Sequence, residues 1–231
     1  MHNIHVYIFN FLYYLTTFLL LNILCAFPSQ AQITGGANFG LSIPTGDLKQ
    51  SFDQLGFGPT VFVRVESPEA PIGVGLDVSY FTFRGSDRNI PSANRPVVAT
   101  TSQRIVQSHL EFRFYLFTTT IRPYLGGLFG LKYMHTVTEF RDPRAYSEPF
   151  GTSMDFGNFA LSGGSTAGFE IQMIENENDF GTTFLNLGIQ YLLGGKAEYL
   201  ETSDVFDPEN PEVQQSATNM LVPLIGITWR Q

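Results

Sequence analysis

The sequence of 231 residues has little cysteine and little charge. Its single cysteine excludes a disulfide framework and a cysteine-ligated zinc site. Charged residues make up 15% of the chain, against the quarter or so that is usual for a soluble domain. The 13 Lys and Arg residues are outnumbered by 21 Asp and Glu, and the resulting charge of -8 argues against binding to nucleic acid.

Long apolar runs are also scarce, because only residues 6–27 form one, without a charged side chain. Pro28 ends this run, and Ser29-Gln30-Ala31 follows as a small-x-small cleavage site. The sequence therefore predicts a signal peptide over residues 1–31 and a mature domain over residues 32–231. The alternative is an uncleaved membrane helix, because the run is long enough to span a bilayer.

From Ile33 onward, apolar residues alternate with small or polar residues, which is the period of a β-strand. The alternation occupies eight stretches: Ile33–Ile43, Phe57–Val65, Ile72–Thr82, Arg104–Phe117, Pro123–Val137, Asn158–Met173, Phe184–Leu193 and Met220–Arg230. Longer and shorter connections alternate between them, and both chain ends fall on the side of the short connections. This pattern predicts an all-β fold, an eight-stranded antiparallel transmembrane up-and-down β-barrel.

The polar side of these stretches is predicted to line the barrel interior. It is rich in Gly, Ser, Thr, Asn and Gln, and its few charges are of both signs, as expected where space is narrow and charges must pair. The predicted polar network of the interior comprises Arg64, Asp77, His109, Glu111, Arg113, Lys132 and Glu170, with Arg230 on the same side of its strand. An aromatic girdle at the membrane interfaces is predicted to comprise Phe57, Tyr80, Tyr133, Tyr191 and Trp229.

Three segments carry a resemblance to a known family. Asn38–Leu48 with Gly56–Gly58 resembles the opening hairpin of small bacterial outer-membrane β-barrel domain proteins, Arg122–Leu131 resembles their mid-barrel strand, and Leu224–Arg230 resembles their last strand. The resemblance spans the mature chain and implies an eight-stranded barrel in the outer membrane, similar to the OmpA/OmpX type. It does not imply an activity.

Candidate chemistry is sparse. His109 is predicted to point inward beside Glu111, where an acid–base site competes with a simple hydrogen-bonded plug, and the plug is favoured. His135 lies on the lipid-facing side near the outer end of its strand, where a lipid-modifying enzyme would need a serine and an acid beside it. The acidic connection that contains Glu198, Glu201 and Asp204 allows weak calcium binding, but its composition favours a solvated loop.

We therefore expect a monomeric outer-membrane protein with a structural or interaction role, as a scaffold that presents extracellular loops for envelope integrity or adhesion. We expect no enzymatic activity, no cofactor and no metal. The expected partners are outer-membrane lipid, lipopolysaccharide and the insertion machinery, with the extracellular partner unknown. The alternatives are a lipid-modifying barrel enzyme that removes or transfers acyl chains, a narrow channel, and a secreted ligand-binding barrel.

Overall fold

The computed structural model describes residues 31–51, 54–68, 70–90, 97–117, 119–141, 151–175, 181–200 and 213–231. The body of the predicted signal peptide lies outside these residues, so its cleavage stays a prediction. The elements, in chain order, are β1 (Gln32–Pro44), α1 (Asp47–Ser51), β2 (Gly56–Glu66), β3 (Ile72–Ile90), β4 (Val97–Tyr115), β5 (Ile121–Arg141), β6 (Gly151–Glu175), β7 (Thr182–Gly194), β8 (Lys196–Leu200), β9 (Val213–Ala217) and β10 (Met220–Arg230).

Eight of the strands form a closed antiparallel barrel in the order β1-β10-β7-β6-β5-β4-β3-β2. The first strand closes on the last, with Thr34 opposite Arg230 and Pro44 opposite Met220. The remaining two strands, β8 and β9, form a separate hairpin in the connection before β10. The predicted eight-stranded up-and-down barrel is confirmed, and closure leaves it without an edge strand.

The alternation of side chains sorts the barrel into an inner and an outer wall. In β2, Phe57, Val61 and Val63 are about half exposed, whereas Thr60 and Arg64 on the opposite side of the strand are buried. The same pattern around the barrel produces a continuous apolar belt, which includes Ile33, Phe39, Leu76, Phe112, Phe114, Leu125, Phe129, Phe159, Phe169, Leu187, Ile189, Ile225 and Ile227. A belt of this kind is stable against lipid hydrocarbon and unfavourable in water.

Strand length divides the barrel into two halves. The strands β1, β2, β7 and β10 have 11–13 residues, whereas β3, β4, β5 and β6 have 19–25. The long connections predicted at residues 84–102 and 140–157 are therefore too long, because β3 continues to Ile90, β4 begins at Val97 and β6 begins at Gly151. Their Thr and Val residues favour strands without apolar alternation, so the periodicity did not reveal them.

The four long strands rise beyond the apolar belt as a projecting sheet, which comprises residues 84–90, 97–104, 134–141 and 151–157. On β5 the belt ends near Tyr133, and eight further residues follow to Arg141. At about 3.3 Å per residue and a tilt of roughly 40°, these residues rise about 20 Å. Among the described residues, no helix has the length and apolar character needed to cross a membrane, and α1 has five residues.

Candidate functional site: the sealed barrel interior

Three arginines and three glutamates fill the barrel interior near the short connections. They come from four strands: Arg64 and Glu66 on β2, Glu111 and Arg113 on β4, Arg122 on β5 and Glu170 on β6. All six side chains are buried. The three positive and three negative charges balance, so this charge ring has no net charge.

The six side chains form a closed ring in which the sign of the charge alternates. Around the ring the N–O distances are Arg64–Glu111 3.0 Å, Glu111–Arg113 2.6 Å, Arg113–Glu170 2.8 Å, Glu170–Arg122 3.2 Å, Arg122–Glu66 2.8 Å and Glu66–Arg64 3.3 Å. Arg64 also lies 3.5 Å from Glu170 across the ring. Every carboxylate therefore contacts at least two guanidinium groups, which offsets much of the cost of removing these charges from water.

Two tyrosines brace the ring. The Tyr115 hydroxyl donates to Glu66 Oε1 at 2.6 Å and accepts from Arg64 Nη1 at 2.9 Å. The Arg122 guanidinium lies 4.1 Å from the centre of the Tyr115 ring, and that of Arg113 lies 3.6 Å from the centre of the Tyr124 ring. These cation–π contacts fix the planes of the guanidinium groups and so their hydrogen-bonding directions.

Glycines on β3 let the ring form across a strand. Gly73 is opposite Arg113 on β4 and Glu66 on β2, and Gly75 is opposite Glu111 on β4 and Arg64 on β2. A Cβ atom on Gly73 would lie 2.7 Å from Arg64 Cδ, and one on Gly75 would lie 2.9 Å from Arg64 Cβ. With no side chain on this part of β3, Arg64 reaches over the strand to Glu111.

The predicted interior residues occupy two levels. Arg64, Glu111, Arg113 and Glu170 lie in the charge ring. The other three lie further from the short connections, each with its own bond: Asp77 Oδ1 accepts from Ser79 at 3.1 Å, His109 Nε2 is 2.9 Å from Ser162 Oγ, and Lys132 Nζ donates to the Thr218 carbonyl at 2.8 Å. Arg230 is half-buried at the mouth, where its guanidinium lies 5.2 Å from the centre of the Phe184 ring.

Sequence reasoning missed two members of the charge ring. The stretch Phe57–Val65 leaves Glu66 in a short connection, and Arg122 belongs only to the family-like segment Arg122–Leu131. Both were detectable, because Glu66 is two residues beyond the inward Arg64 and Arg122 is two residues before the inward Tyr124.

The interior near the long connections is apolar, which the alternation of apolar and polar residues does not predict. Helix α1 contributes Leu48, and the β8–β9 hairpin contributes Ala197, both of which are fully buried. They belong to one apolar cluster with Phe81, Phe83, Ile105, Leu128, Met134, Ala160, Leu192, Met220, Val222 and Leu224. This apolar cap closes the second end of the barrel, so the polar interior lies between two seals.

The predicted girdle residues lie on the outer wall near both ends of the belt. Phe57, Tyr80 and Tyr191 lie toward the long connections and are 52%, 37% and 45% exposed, and Trp229 lies one residue from the end of β10 at the short connections. Tyr133 is half-buried, because its ring stacks on His135 with centroids 5.3 Å apart. Their position follows the sequence prediction, and their role as interfacial anchors stays a prediction.

The two histidines offer no open catalytic arrangement within the described residues. The serine–histidine pair of the structure is His109 with Ser162, and both are buried between the two seals. His135 is 8% exposed on the outer wall, and its Nδ1 has no hydrogen-bond partner there. No group of three or more His, Cys, Asp or Glu side chains in the described part could hold a metal ion. The acidic connection at 201–212 lies outside that part.

A cavity of about 620 Å³ opens at the short connections. Its wall includes Glu66, Tyr115 and Arg122 on the inner side, and Arg230 and Gln32 at the strand ends. We name it the mouth cavity. The charge ring, which includes Glu66 and Arg122, bounds it on the inner side.

A closed eight-stranded antiparallel barrel with an apolar outer belt and a polar, charge-balanced interior defines an outer-membrane β-barrel protein. No protein-family model matches the chain, and no curated protein matches it. The class therefore rests on the barrel, its belt and its interior.

Solved structures of small outer-membrane barrels are similar to the chain. Neisserial surface protein A is 13% identical, with 87% of this chain and 96% of that chain covered and a TM-score of 0.43. The outer-membrane protein OprG from Pseudomonas aeruginosa is 13% identical, with 87% and 96% covered and a TM-score of 0.46. The attachment invasion locus protein Ail of Yersinia pestis is 12% identical, with 87% and 97% covered and a TM-score of 0.39.

Proposed function

We propose that the protein is a non-conducting outer-membrane scaffold that presents the projecting sheet outside the cell, in a structural or interaction role. The observation that carries this proposal is the double closure of the interior. The charge ring fills one end and the apolar cap fills the other, so that the described side chains leave ions and solutes no continuous path.

The projecting sheet supplies the surface for such a role. It rises about 20 Å above the belt. On its inner side, Thr136 donates to Gln103 Oε1 at 2.9 Å. On its outer side, Arg104 contacts Glu139 at 3.0 Å and Arg141 contacts Glu139 at 2.6 Å. A sheet braced on both sides holds its shape away from the membrane, as a rigid platform for contacts requires.

The other parts of the proposal follow from the outer wall. The apolar belt contacts outer-membrane lipid and lipopolysaccharide, and the barrel acts as a monomer within the membrane, because closure pairs both sides of every strand at the level of the belt. Like other barrels of this class, the chain reaches the membrane through the outer-membrane insertion machinery. The extracellular partner is not identified by the described surface.

Two other candidate functions receive less support. A narrow channel would need to displace both seals. A lipid-modifying enzyme would need a serine and an acid beside a histidine that lipid can reach, whereas Ser162 and His109 lie inside the closed barrel. Neither geometry occurs among the described residues.

Conductance in a planar bilayer tests the sealed interior. We expect no discrete conductance from the wild-type protein, and none from Arg64→Ala or Leu48→Ala, because each single variant keeps one seal. The double variant removes a fully buried side chain from each seal and is expected to leak, which provides the positive control. Regular single-channel steps from the wild-type protein would overturn the proposal.

Labelling of whole cells tests the orientation. Cys25, in the predicted signal peptide, is the only cysteine of the sequence, so in a Cys25→Ser background a single introduced cysteine is the sole thiol. A membrane-impermeant maleimide should label Lys49→Cys, on the exposed side of α1, and should spare Thr119→Cys at a short connection. The reverse labelling pattern would contradict presentation of the projecting sheet outside the cell.

A further inference from the structure

Among the described residues, the mouth cavity holds a positive charge that the charge ring does not balance. The ring contains three arginines and three glutamates, and Arg230 adds a fourth cation at its edge. Within the described residues, no carboxylate lies within 4.0 Å of the Arg230 guanidinium. The Arg230 guanidinium contacts the ring of Phe184.

Arg122 and Arg230 share that aromatic ring. Each guanidinium carbon lies 5.2 Å from the centre of the Phe184 ring, so both cations contact the same side chain. Glu66 takes one nitrogen of Arg122, at 2.8 Å, but no described carboxylate bridges Arg122 to Arg230. Two like charges held together in a partly desolvated cavity repel each other, and an anion between them would relieve that repulsion.

Arg122 also has hydrogen-bonding capacity that the protein leaves unused. Its side chain is 3% exposed and lines the mouth cavity, yet Nε and Nη1 have no hydrogen-bond partner in the described structure. Nη1 approaches Glu170 Oε2 at 3.2 Å as an ion pair without hydrogen-bond geometry. A buried N–H group without a partner is costly, so an incoming acceptor gains more here than at a solvated arginine.

We propose that the mouth cavity is a binding site for a compact oxyanion, a carboxylate or phosphate group held between Arg122 and Arg230. The cavity volume of about 620 Å³ admits such a group together with a small attached body. The amide of Gln32 also lines the cavity and can donate to the ligand. This inference goes beyond the proposed function, because a sealed scaffold needs no ligand at its mouth.

Chemical unfolding in the presence of anions tests the site, because a ligand of the folded state raises the unfolding midpoint. The probes are N-acetylglycine, which has one carboxylate, and inorganic phosphate, each compared with sodium chloride at equal ionic strength. We expect a saturable rise of the midpoint with at least one oxyanion and none with chloride. A response to the carboxylate alone identifies a peptide-like ligand, and a response to phosphate alone identifies a phosphorylated ligand.

Arg230→Gln is the decisive variant, and Arg141→Gln is its control, because Arg141 is exposed at the opposite end of the barrel. Arg230→Gln should weaken oxyanion binding about tenfold or more, whereas Arg141→Gln should leave it unchanged. Without added oxyanion, Arg230→Gln should unfold at the same denaturant concentration as the wild type or a higher one, because it removes a repulsion. A merely structural arginine would give a destabilised variant.

Two results would overturn the proposal. One is the absence of any oxyanion-specific rise in the wild-type midpoint, and the other is an equal rise in Arg230→Gln. Both are independent of the conductance measurement, since a barrel that fails to bind oxyanions can still be sealed.

Discussion

Removal of one carboxylate from the charge ring should cost far more stability than removal of one at the surface. Glu111 accepts four hydrogen bonds, two from Arg64 at 3.0 and 3.3 Å and two from Arg113 at 2.6 and 2.9 Å. Glu111→Gln keeps the shape of the side chain but leaves the ring with three positive and two negative charges. The amide nitrogen that replaces one carboxylate oxygen must then face a guanidinium group. Both groups are hydrogen-bond donors, so they form no hydrogen bond with each other.

The magnitude follows from burial. Removing one partner of a buried ion pair costs about 3–5 kcal/mol, because the other charge stays buried without compensation. With a urea dependence of about 2–3 kcal/mol per M, the unfolding midpoint should fall by roughly 1–2.5 M. The single tryptophan, Trp229, lies in the barrel wall beside the mouth and reports unfolding by fluorescence, and heat-modifiable gel mobility confirms that each variant folds.

Glu139→Gln is the matched control. Glu139 also contacts two arginines, Arg104 at 3.0 Å and Arg141 at 2.6 Å, but these side chains are 27% and 50% exposed. A solvated ion pair contributes about 0–1 kcal/mol, so this variant should unfold close to the wild type. Equal losses of stability in Glu111→Gln and Glu139→Gln would show that burial does not make the ion pairs of the charge ring stronger than those at the surface.

Three further perturbations test other parts of the barrel. Gly73→Ala should lower the free energy of unfolding, measured in urea, by about 1–3 kcal/mol, because the added Cβ would meet Arg64. Its control is Gly127→Ala, which should leave that free energy unchanged or slightly higher, because its Cβ would meet no atom within 4 Å. Leu48→Ala should loosen the apolar cap and speed protease cleavage near α1 about tenfold to a hundredfold, while wild-type rates would contradict its packing. Phe129→Arg, at a position 64% exposed on the belt, should cost about 2–4 kcal/mol in lipid vesicles, and tolerance there would argue against a lipid-facing wall.

The sequence predicts the barrel well because a two-residue period is local. The alternation of apolar and polar residues within each strand shows which side faces lipid. Eight such stretches and their alternating connections are therefore sufficient to predict the topology. The same period reaches its limit at the projecting sheet, where Thr100, Thr101 and Thr138 replace apolar residues and the alternation disappears. Strand pairing, which is not local, continues through them.

The interior is harder to predict, because its contacts cross the barrel. The alternation along β4 identifies Glu111 and Arg113 as interior residues. Only closure of the sheet shows that Arg64 and Glu170 complete one ring with them. The apolar cap needs still more, since Leu48 belongs to a short helix in a connection and docks on residues from several strands. The sequence of α1 contains no pattern that predicts this contact.

The charge ring also constrains how this barrel can enter a membrane. Its members lie on β2, β4, β5 and β6, so none of the strands can cross lipid alone without exposing a charge that its partners have not yet reached. Each such charge would cost several kcal/mol, whereas the assembled ring is neutral. Insertion of this chain should therefore be cooperative, with these four strands curling together before or while they enter the bilayer. A ring that seals the finished barrel thus also makes half-inserted forms unstable.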